Sequence, residues 1–344
     1  MAAAVAHGPR DLRIEDVPVE APAPGTVVVE VAYCGVCGSD LHAVLDGWGR
    51  PGSIHGHEWS GRVVAVGDGV DRWHEGDAVV GGPAPTCGRC GPCRAARPSL
   101  CIERPTPMAE ASKGAYAAFK VAGADELWAV PDGLDLRTAA LTEPLAVALH
   151  AVTRSGVAPG QRALVMGAGP IGALVITALR AVGVDDVTVC EPNPLRRDLA
   201  LEIGAHEVVE PDEIDVPSMF EPLRLPDRPF DVALECSGKG VAMEAAITQV
   251  GKGGTFVLVG AGIDQPRFDP NRILLNELIV TGAYEYDATG FDDALALLAA
   301  GRIPVDDLVE ADDVALPDLL DAMERLAAGD IAGKVMVTPT GGTR

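Results

Sequence analysis

The chain is expected to be an α/β protein in two parts, a β-rich module and a doubly wound parallel sheet. Three observations predict this. Its 344 residues exceed what one hydrophobic core usually supports. Residues 26–34, 61–66 and 77–82 are short β-branched runs bounded by Gly, Pro and Asp, the pattern of strands in a barrel-like or sandwich module. From about Gln161 the texture changes to alternating strands and helices, which predicts a parallel sheet covered on both faces.

In that second part, strands are expected at 163–166, 187–190, 231–235, 255–259 and 277–283, with helices at 171–182, 195–203 and 241–250. Residues 210–230 are polar and contain Pro, as in a loop or an irregular helix. Beyond the last strand, 291–300 and 316–327 carry helical apolar spacing, and 334–338 reads as a terminal strand returning to the first module. The expected domains are therefore 1–147 with 287–344, and 148–286 between them.

Composition narrows the function. The net charge of -23 argues against nucleic acid and anionic membranes, whose phosphates would be repelled. The apolar run near 173–184 is interrupted by Arg180, and Arg10 and Asp11 appear before any signal-peptide core develops. A cytoplasmic protein with reduced thiols is expected, so tightly spaced cysteines point to metal.

Gly167-Ala168-Gly169-Pro170-Ile171-Gly172 follows an apolar strand and opens a helix. In that context the first glycine makes the tight turn, the second admits a pyrophosphate to the backbone, and the third lets the helix pack on the strand. Glu191 ends the second strand, where an acid accepts bonds from adenosine ribose hydroxyls and repels a 2′-phosphate. This favours NAD over NADP. Arg196 and Arg197 pull the other way, since a guanidinium near the ribose accommodates that phosphate.

Two cysteine constellations carry the metal chemistry. Cys87, Cys90, Cys93 and Cys101 lie within a Gly- and Pro-rich stretch and suit one closed tetrahedral Zn²⁺ site that holds a loop. Cys37, in Cys37-Gly38-Ser39-Asp40-Leu41-His42, and His57, in Gly56-His57-Glu58, form a sparser set with room for water or substrate. An open site of that kind does chemistry. Cys34, Cys190 and Cys236 fall in strand-like segments and read as core residues. Asp40 reads as the carboxylate that orients His57.

The run Gly56-His57-Glu58-x2-Gly61-x5-Gly67, with Cys37-x-Ser39-Asp40-x-His42 ahead of it, resembles the zinc-containing medium-chain alcohol dehydrogenases. The resemblance spans nearly the whole chain, including the four-cysteine lobe, the middle nucleotide-binding domain and the terminal Gly333-Lys334-Val335. It implies a GroES-like β-domain carrying both zinc sites, with a Rossmann NAD-binding domain inserted into it. Where alcohol dehydrogenase has its second metal-binding cysteine, this chain has Glu143 within Leu141-Thr142-Glu143-Pro144-Leu145. That segment looks like the sorbitol, threonine and butanediol dehydrogenase branch. Carried over, Cys37 and His57 are zinc ligands, while Glu58 and Glu143 either bind Zn²⁺ or hold its water. Ser39 would take the alcohol proton and His42 would pass it to bulk water.

Lys334 resembles the basic residue that approaches the cofactor pyrophosphate in this family, with an ordinary strand-end cation as the alternative. Tyr284-Glu285-Tyr286 occupies the place of an aromatic-Arg-aromatic run in polyol dehydrogenases, and the acid at its centre argues against a sorbitol-like substrate. Trp48 would wall the substrate pocket or cover the domain core. The expected activity is zinc- and NAD-dependent oxidation of a secondary alcohol, polyol, diol or hydroxy amino acid. An NADPH-linked reductase is the nearest alternative. A zinc-ribbon module on nucleic acid and a catalytically silent NAD-binding regulator are rivals from other classes. The resemblance also implies a homodimer or homotetramer, and the last strand of the parallel sheet would pair across a two-fold.

Overall fold

The computed structural model describes residues 1–82, 86–104, 110–218 and 220–341. Two compact units emerge, Met1–Pro144 with Asp287–Gly301 and Val309–Arg344, and Leu145–Tyr286 with Arg302–Leu308. The expected boundary after residue 147 falls inside the helix Thr142–Ser155, which the sequence reading did not anticipate. Residues 302–308 join the second unit instead of the first. Arg302 donates to the Ala181 carbonyl at 3.1 Å, and Leu308 is buried in the short helix Val305–Leu308.

In the first unit the long strand Thr26–Gly35 is central. One edge pairs antiparallel with Glu58–Val66, and the other with Phe119–Gly123 and Met336–Thr338. Ala78–Gly81 and Leu127–Ala129 extend the sheet. Val27, Val29, Val31, Trp59, Val79, Tyr116 and Leu127 form its core. The helix Leu319–Ala328 buries Leu319, Ala322, Met323 and Leu326, one face at helical spacing, into the same core. Gly61 allows the strand pairing to be close, because a Cβ there would lie 2.2 Å from the Glu30 carbonyl oxygen. A second, three-stranded sheet contains Ala2–Gly8, Asp11–Asp16 and Ser53–Ile54. Its alanine-rich first strand has little intrinsic β preference and is recruited by tertiary pairing.

The second unit is a six-stranded parallel sheet. In spatial order it runs Glu207–Val209, Asp186–Cys190, Arg162–Met166, Phe230–Glu235, Val250–Leu258 and Ile279–Gly282. The chain order reverses beside Arg162–Met166, the topological switch point at which such sheets bind ligands. Ala163, Leu164 and Val165 are fully buried, as expected of a strand covered on both faces. Helices Pro170–Ala181, Pro194–Glu202 and Gly240–Gln249 match the expected segments to within one residue. The stretch after Val209 holds one 3₁₀ turn, Pro211–Glu213, before an irregular run. Cys34, Cys190 and Cys236 are buried as expected.

Candidate active site

Cys37 caps the seven-residue helix Gly38–Val44 in an extended conformation, and Asp40 at the third helical position accepts from the Cys37 backbone N–H at 3.1 Å. That capping bond fixes where the Cys37 side chain leaves the backbone. Asp40 is 2% exposed and does more than cap. Its Oδ2 also accepts from the Tyr116 hydroxyl at 2.7 Å, and its Oδ1 accepts from the Gly56 N–H at 3.2 Å. The His57 Nδ1 stands 3.6 Å from Oδ1. Burial by itself would raise the Asp40 pKa, but His57, Tyr116 and the Cys37 N–H together hold it down to about 2. The carboxylate is thus ionised, and it stands beside the imidazole that it was expected to orient.

His57 lies next to the start of the strand Glu58–Val66. The sulfur of Cys37, a ring nitrogen of His57 and a carboxylate oxygen of Glu58 all lie within 4.8 Å of one another. Thiolate, imidazole and carboxylate are the donor types that Zn²⁺ takes. Burial disfavours a charged His57 ring, yet Asp40 and Cys37 hold its pKa well above the ordinary histidine range. A field that retains a proton there also favours a metal cation. Residues and ion therefore fit.

Glu58 is 1% exposed and meets Lys334, itself 4% exposed. The Lys334 ammonium donates to both Glu58 oxygens at 2.8 Å and to the Val36 carbonyl at 3.1 Å. Those three acceptors use its three protons. Lys334, expected near the cofactor pyrophosphate or as an ordinary strand-end cation, has its ammonium on Glu58 and the Val36 carbonyl. Burial alone would drive Lys334 toward neutrality, but Glu58, Cys37 and Glu143 raise its pKa. Glu143, 5% exposed in the first turn of Thr142–Ser155, is near enough to act on that ammonium but is outside the compact three-donor set.

Ser39 is half-buried on the same helix as Asp40. His42, one turn further, is bonded through Nδ1 to Asp46 at 2.7 Å and stacks on Trp48 with centroids 4.3 Å apart. Trp48 therefore has a definite partner in His42, whichever of its expected roles it also plays.

The four-cysteine lobe is assembled as expected, with the sulfurs of Cys87, Cys90, Cys93 and Cys101 within 4.8 Å of one another. The Cys90 N–H points at the Cys87 sulfur at 3.3 Å, and the Cys87 N–H at the Cys101 sulfur at 3.4 Å. Further backbone N–H groups, first that of Cys93, lower the Cys90 pKa. Donors aimed at sulfur favour the thiolate, the form that binds metal. The chemistry of this donor set fits Zn²⁺.

In the second unit, Gly167 has φ +91, and a Cβ on Gly172 would lie 2.0 Å from the Gly167 carbonyl oxygen. Both glycines are required by the turn. At Gly169 the surroundings are open, with only the Arg196 guanidinium 3.8 Å from where a Cβ would sit. Gly169 caps the helix Pro170–Ala181 with no side-chain bond, leaving the helix start, with Pro170 and Ile171, free to meet an anion. Glu191 is 4% exposed and accepts from the Ala168 N–H at 2.7 Å and the Asn193 N–H at 2.9 Å. Two of a carboxylate's roughly four acceptor directions are thereby used. Arg197 donates to the Glu191 and Pro192 carbonyls and pairs with Glu210 at 3.0 Å, so of the two arginines it is Arg196 that stands at the glycine turn.

Tyr116 and Asp46 escaped the sequence reading. Tyr116 lies 76 residues from Asp40 and carries no local signal. Asp46 follows His42 at helical spacing, a cue visible only once the short helix is known.

The family model for the alcohol dehydrogenase GroES-like domain matches residues 23–132, and that for zinc-binding dehydrogenase matches 170–300. The chain is 34% identical to a sorbitol dehydrogenase of Bacillus subtilis (strain 168), covering 98% of this chain and 97% of the relative. Its fold superposes on the 2R,3R-butanediol dehydrogenase of Bacillus subtilis with a TM-score of 0.86 at 33% identity, over 98% of this chain and 99% of that one. A zinc-binding dehydrogenase chain from Sinorhizobium meliloti 1021 bound to NADP gives 0.85 at 28%, over 98% and 99%. The chain belongs to the zinc-containing medium-chain alcohol dehydrogenase family. It is an oxidoreductase that works with zinc and a nicotinamide cofactor.

Tyr116→Phe removes one buried bond to Asp40 without changing shape. It is expected to lower stability by about 1–2 kcal/mol and zinc affinity at the Cys37 site by roughly tenfold. Chelator competition checks the second effect, and unchanged affinity would show that Tyr116 has no part in holding the site.

Proposed function

We propose that the chain oxidises a secondary hydroxyl of a polyol or diol to a ketone, reversibly, with one catalytic zinc, one structural zinc and NAD. The observation that carries this reading is the three-donor set Cys37, His57 and Glu58, with Asp40 and Lys334 against it and Ser39 and His42 on the helix that Cys37 caps. The sorbitol and butanediol dehydrogenases among the relatives support the substrate class. Glu285, at φ +53 between two tyrosines, argues for a substrate other than sorbitol itself.

Cys37, His57 and Glu58 would hold the catalytic metal, and Glu143 would stand behind it. Zinc held there would supply Lewis-acid polarisation of the hydroxyl oxygen, and a nicotinamide would be the hydride acceptor. Ser39 accepts the hydroxyl proton and His42 delivers it to solvent. Asp40, beside the Nδ1 of His57, would hold that ring for metal binding. Gly169 and the start of the helix Pro170–Ala181, with Arg196 beside them, would hold the pyrophosphate. Eight unpaired cysteines fit a reducing compartment, the cytoplasm. Among the described residues no helix is long and apolar enough to cross a membrane.

The strand Ile279–Gly282 closes the parallel sheet at an edge, with Ile279 56% and Val280 38% exposed. An apolar edge of this kind is covered when a second copy pairs with it, which supports a homodimer. Light scattering should give twice the chain mass, and Val280→Pro should yield monomers. A monomeric wild type would exclude that assembly.

The two metal sites should separate by variant. The wild type should hold two zinc ions per chain. Cys37→Ser should abolish turnover with the fold retained and one zinc left, whereas Cys90→Ser should mainly lower the melting temperature. Complete loss of zinc in Cys37→Ser would mean that the lobe binds none.

Coenzyme choice depends on Glu191. A 2′-phosphate would meet its charge and displace ribose hydroxyls from the carboxylate, a penalty on the order of 2–4 kcal/mol. NAD should therefore exceed NADP in kcat/KM. Glu191→Ser should weaken both coenzymes by freeing the Ala168 N–H, yet shift the ratio toward NADP as Arg196 meets the phosphate. An NADP preference in the wild type, or an unchanged ratio in the variant, would refute the assignment.

A further inference from the structure

His42 is held on two sides by groups that have no place in the roles assigned so far. Its Nδ1 lies 2.7 Å from Asp46 Oδ2. Its ring lies almost parallel to Trp48, 12° between planes and 4.3 Å between centroids. Trp48 is anchored in turn to the same residue, its backbone N–H donating to the His42 carbonyl at 3.1 Å. The next N–H, that of Gly49, donates to the Ala43 carbonyl at 3.1 Å, so the turn following the helix is pinned by two successive bonds. Asp46, just beyond the helix C-cap Leu45, is carried on this turn.

These contacts have a chemical consequence. An ionised carboxylate only accepts hydrogen bonds, so the ring nitrogen facing it must carry the proton. In a neutral imidazole the other nitrogen, Nε2, then bears the lone pair. An unconstrained neutral histidine prefers the opposite tautomer, with the proton on Nε2, and in that form Nε2 cannot accept a proton from a relay. Stacking on Trp48 fixes the ring plane, and with it the direction of the Nε2 lone pair. His42 is 29% exposed and Asp46 56% exposed at the side-chain level, so the pair is open to solvent, where the proton must go.

We propose that Asp46 is a positioning residue for proton release, setting the tautomer of His42 while Trp48 sets its plane. The inference rests on the reading of His42 as the outlet of the relay. A purely structural role predicts little. An exposed pair at this spacing is worth little to stability, and its loss would leave turnover unchanged.

The test uses the zinc-loaded protein with ¹⁵N-labelled histidine, in which long-range ¹⁵N–¹H correlations report the tautomer and His42→Gln identifies the signals. The wild type should show His42 protonated on Nδ1. Asp46→Ala should move the proton to Nε2 and lower kcat by about tenfold, with KM and melting temperature little changed, a size typical of losing a group that orients a functional imidazole. Asp46→Asn should retain the Nδ1–H form and most of the turnover, because its carboxamide oxygen still accepts. A wild-type ring protonated on Nε2, or an Asp46→Ala variant with unaltered tautomer and turnover while His42→Gln is impaired, would overturn the proposal. Wild-type turnover in His42→Gln would instead overturn the relay reading, and this inference with it.

Discussion

The first unit depends on one buried charge, the Asp40 carboxylate. It bonds the N–H of Cys37, the N–H of Gly56 and the hydroxyl of Tyr116, and faces the His57 ring. Three separate pieces of chain thereby converge on two oxygens: a helix start, the Gly56–His57 loop before the strand Glu58–Val66, and the segment preceding Phe119–Gly123. A carboxylate buried without such donors would protonate, since desolvation outweighs any single bond. Its low pKa is therefore a measure of how completely these pieces have assembled.

Lys334 and Glu58 extend this logic to the C-terminal strand. A buried ion pair adds little net stability over an apolar pair, but losing one partner typically costs about 3–5 kcal/mol. The segment leading into Met336–Thr338 is thus required once Glu58 is placed, because nothing apolar can satisfy that carboxylate. Zinc bound by Cys37 and His57 would compete with the ammonium for Glu58.

Four strands of the parallel sheet were legible to within two residues because they are apolar runs between helices of strong period, but Val250–Leu258 was read from 255 because its glycine-rich start carries no strand signal, and the short, half-polar edge strand Glu207–Val209 was not read at all. The glycine turn and both cysteine sets were legible because they are local in sequence. The alanine-rich hairpin Ala2–Gly8 with Asp11–Asp16 was not, since its pairing is decided by tertiary neighbours. Likewise the partner of Lys334 could not be read, as Glu58 lies 276 positions away. A lone cation near the end of a chain carries no record of which anion it will meet. Tyr116 was hidden for the same reason, whereas Asp46 was hidden by the brevity of its helix.

The second unit repeats the device with different residues. Glu191 and Glu235 end the strands on either side of Arg162–Met166 and are both buried. Glu191 takes the N–H of Ala168 in the glycine turn, while Glu235 takes those of Ser237 and Gly238, and a Cβ on Gly167 would meet the Cβ of Ser237 at 2.9 Å. The two loops that flank the switch point are therefore each tied to a strand end by a carboxylate, and they touch through Gly167. Burial raises the pKa of Glu235 even against its N–H donors, a sign that the fold tolerates a costly group there. What it gains is a pair of loops at the switch point whose shapes are set by the protein's own hydrogen bonds, an ordering that any ligand bound there would not have to supply.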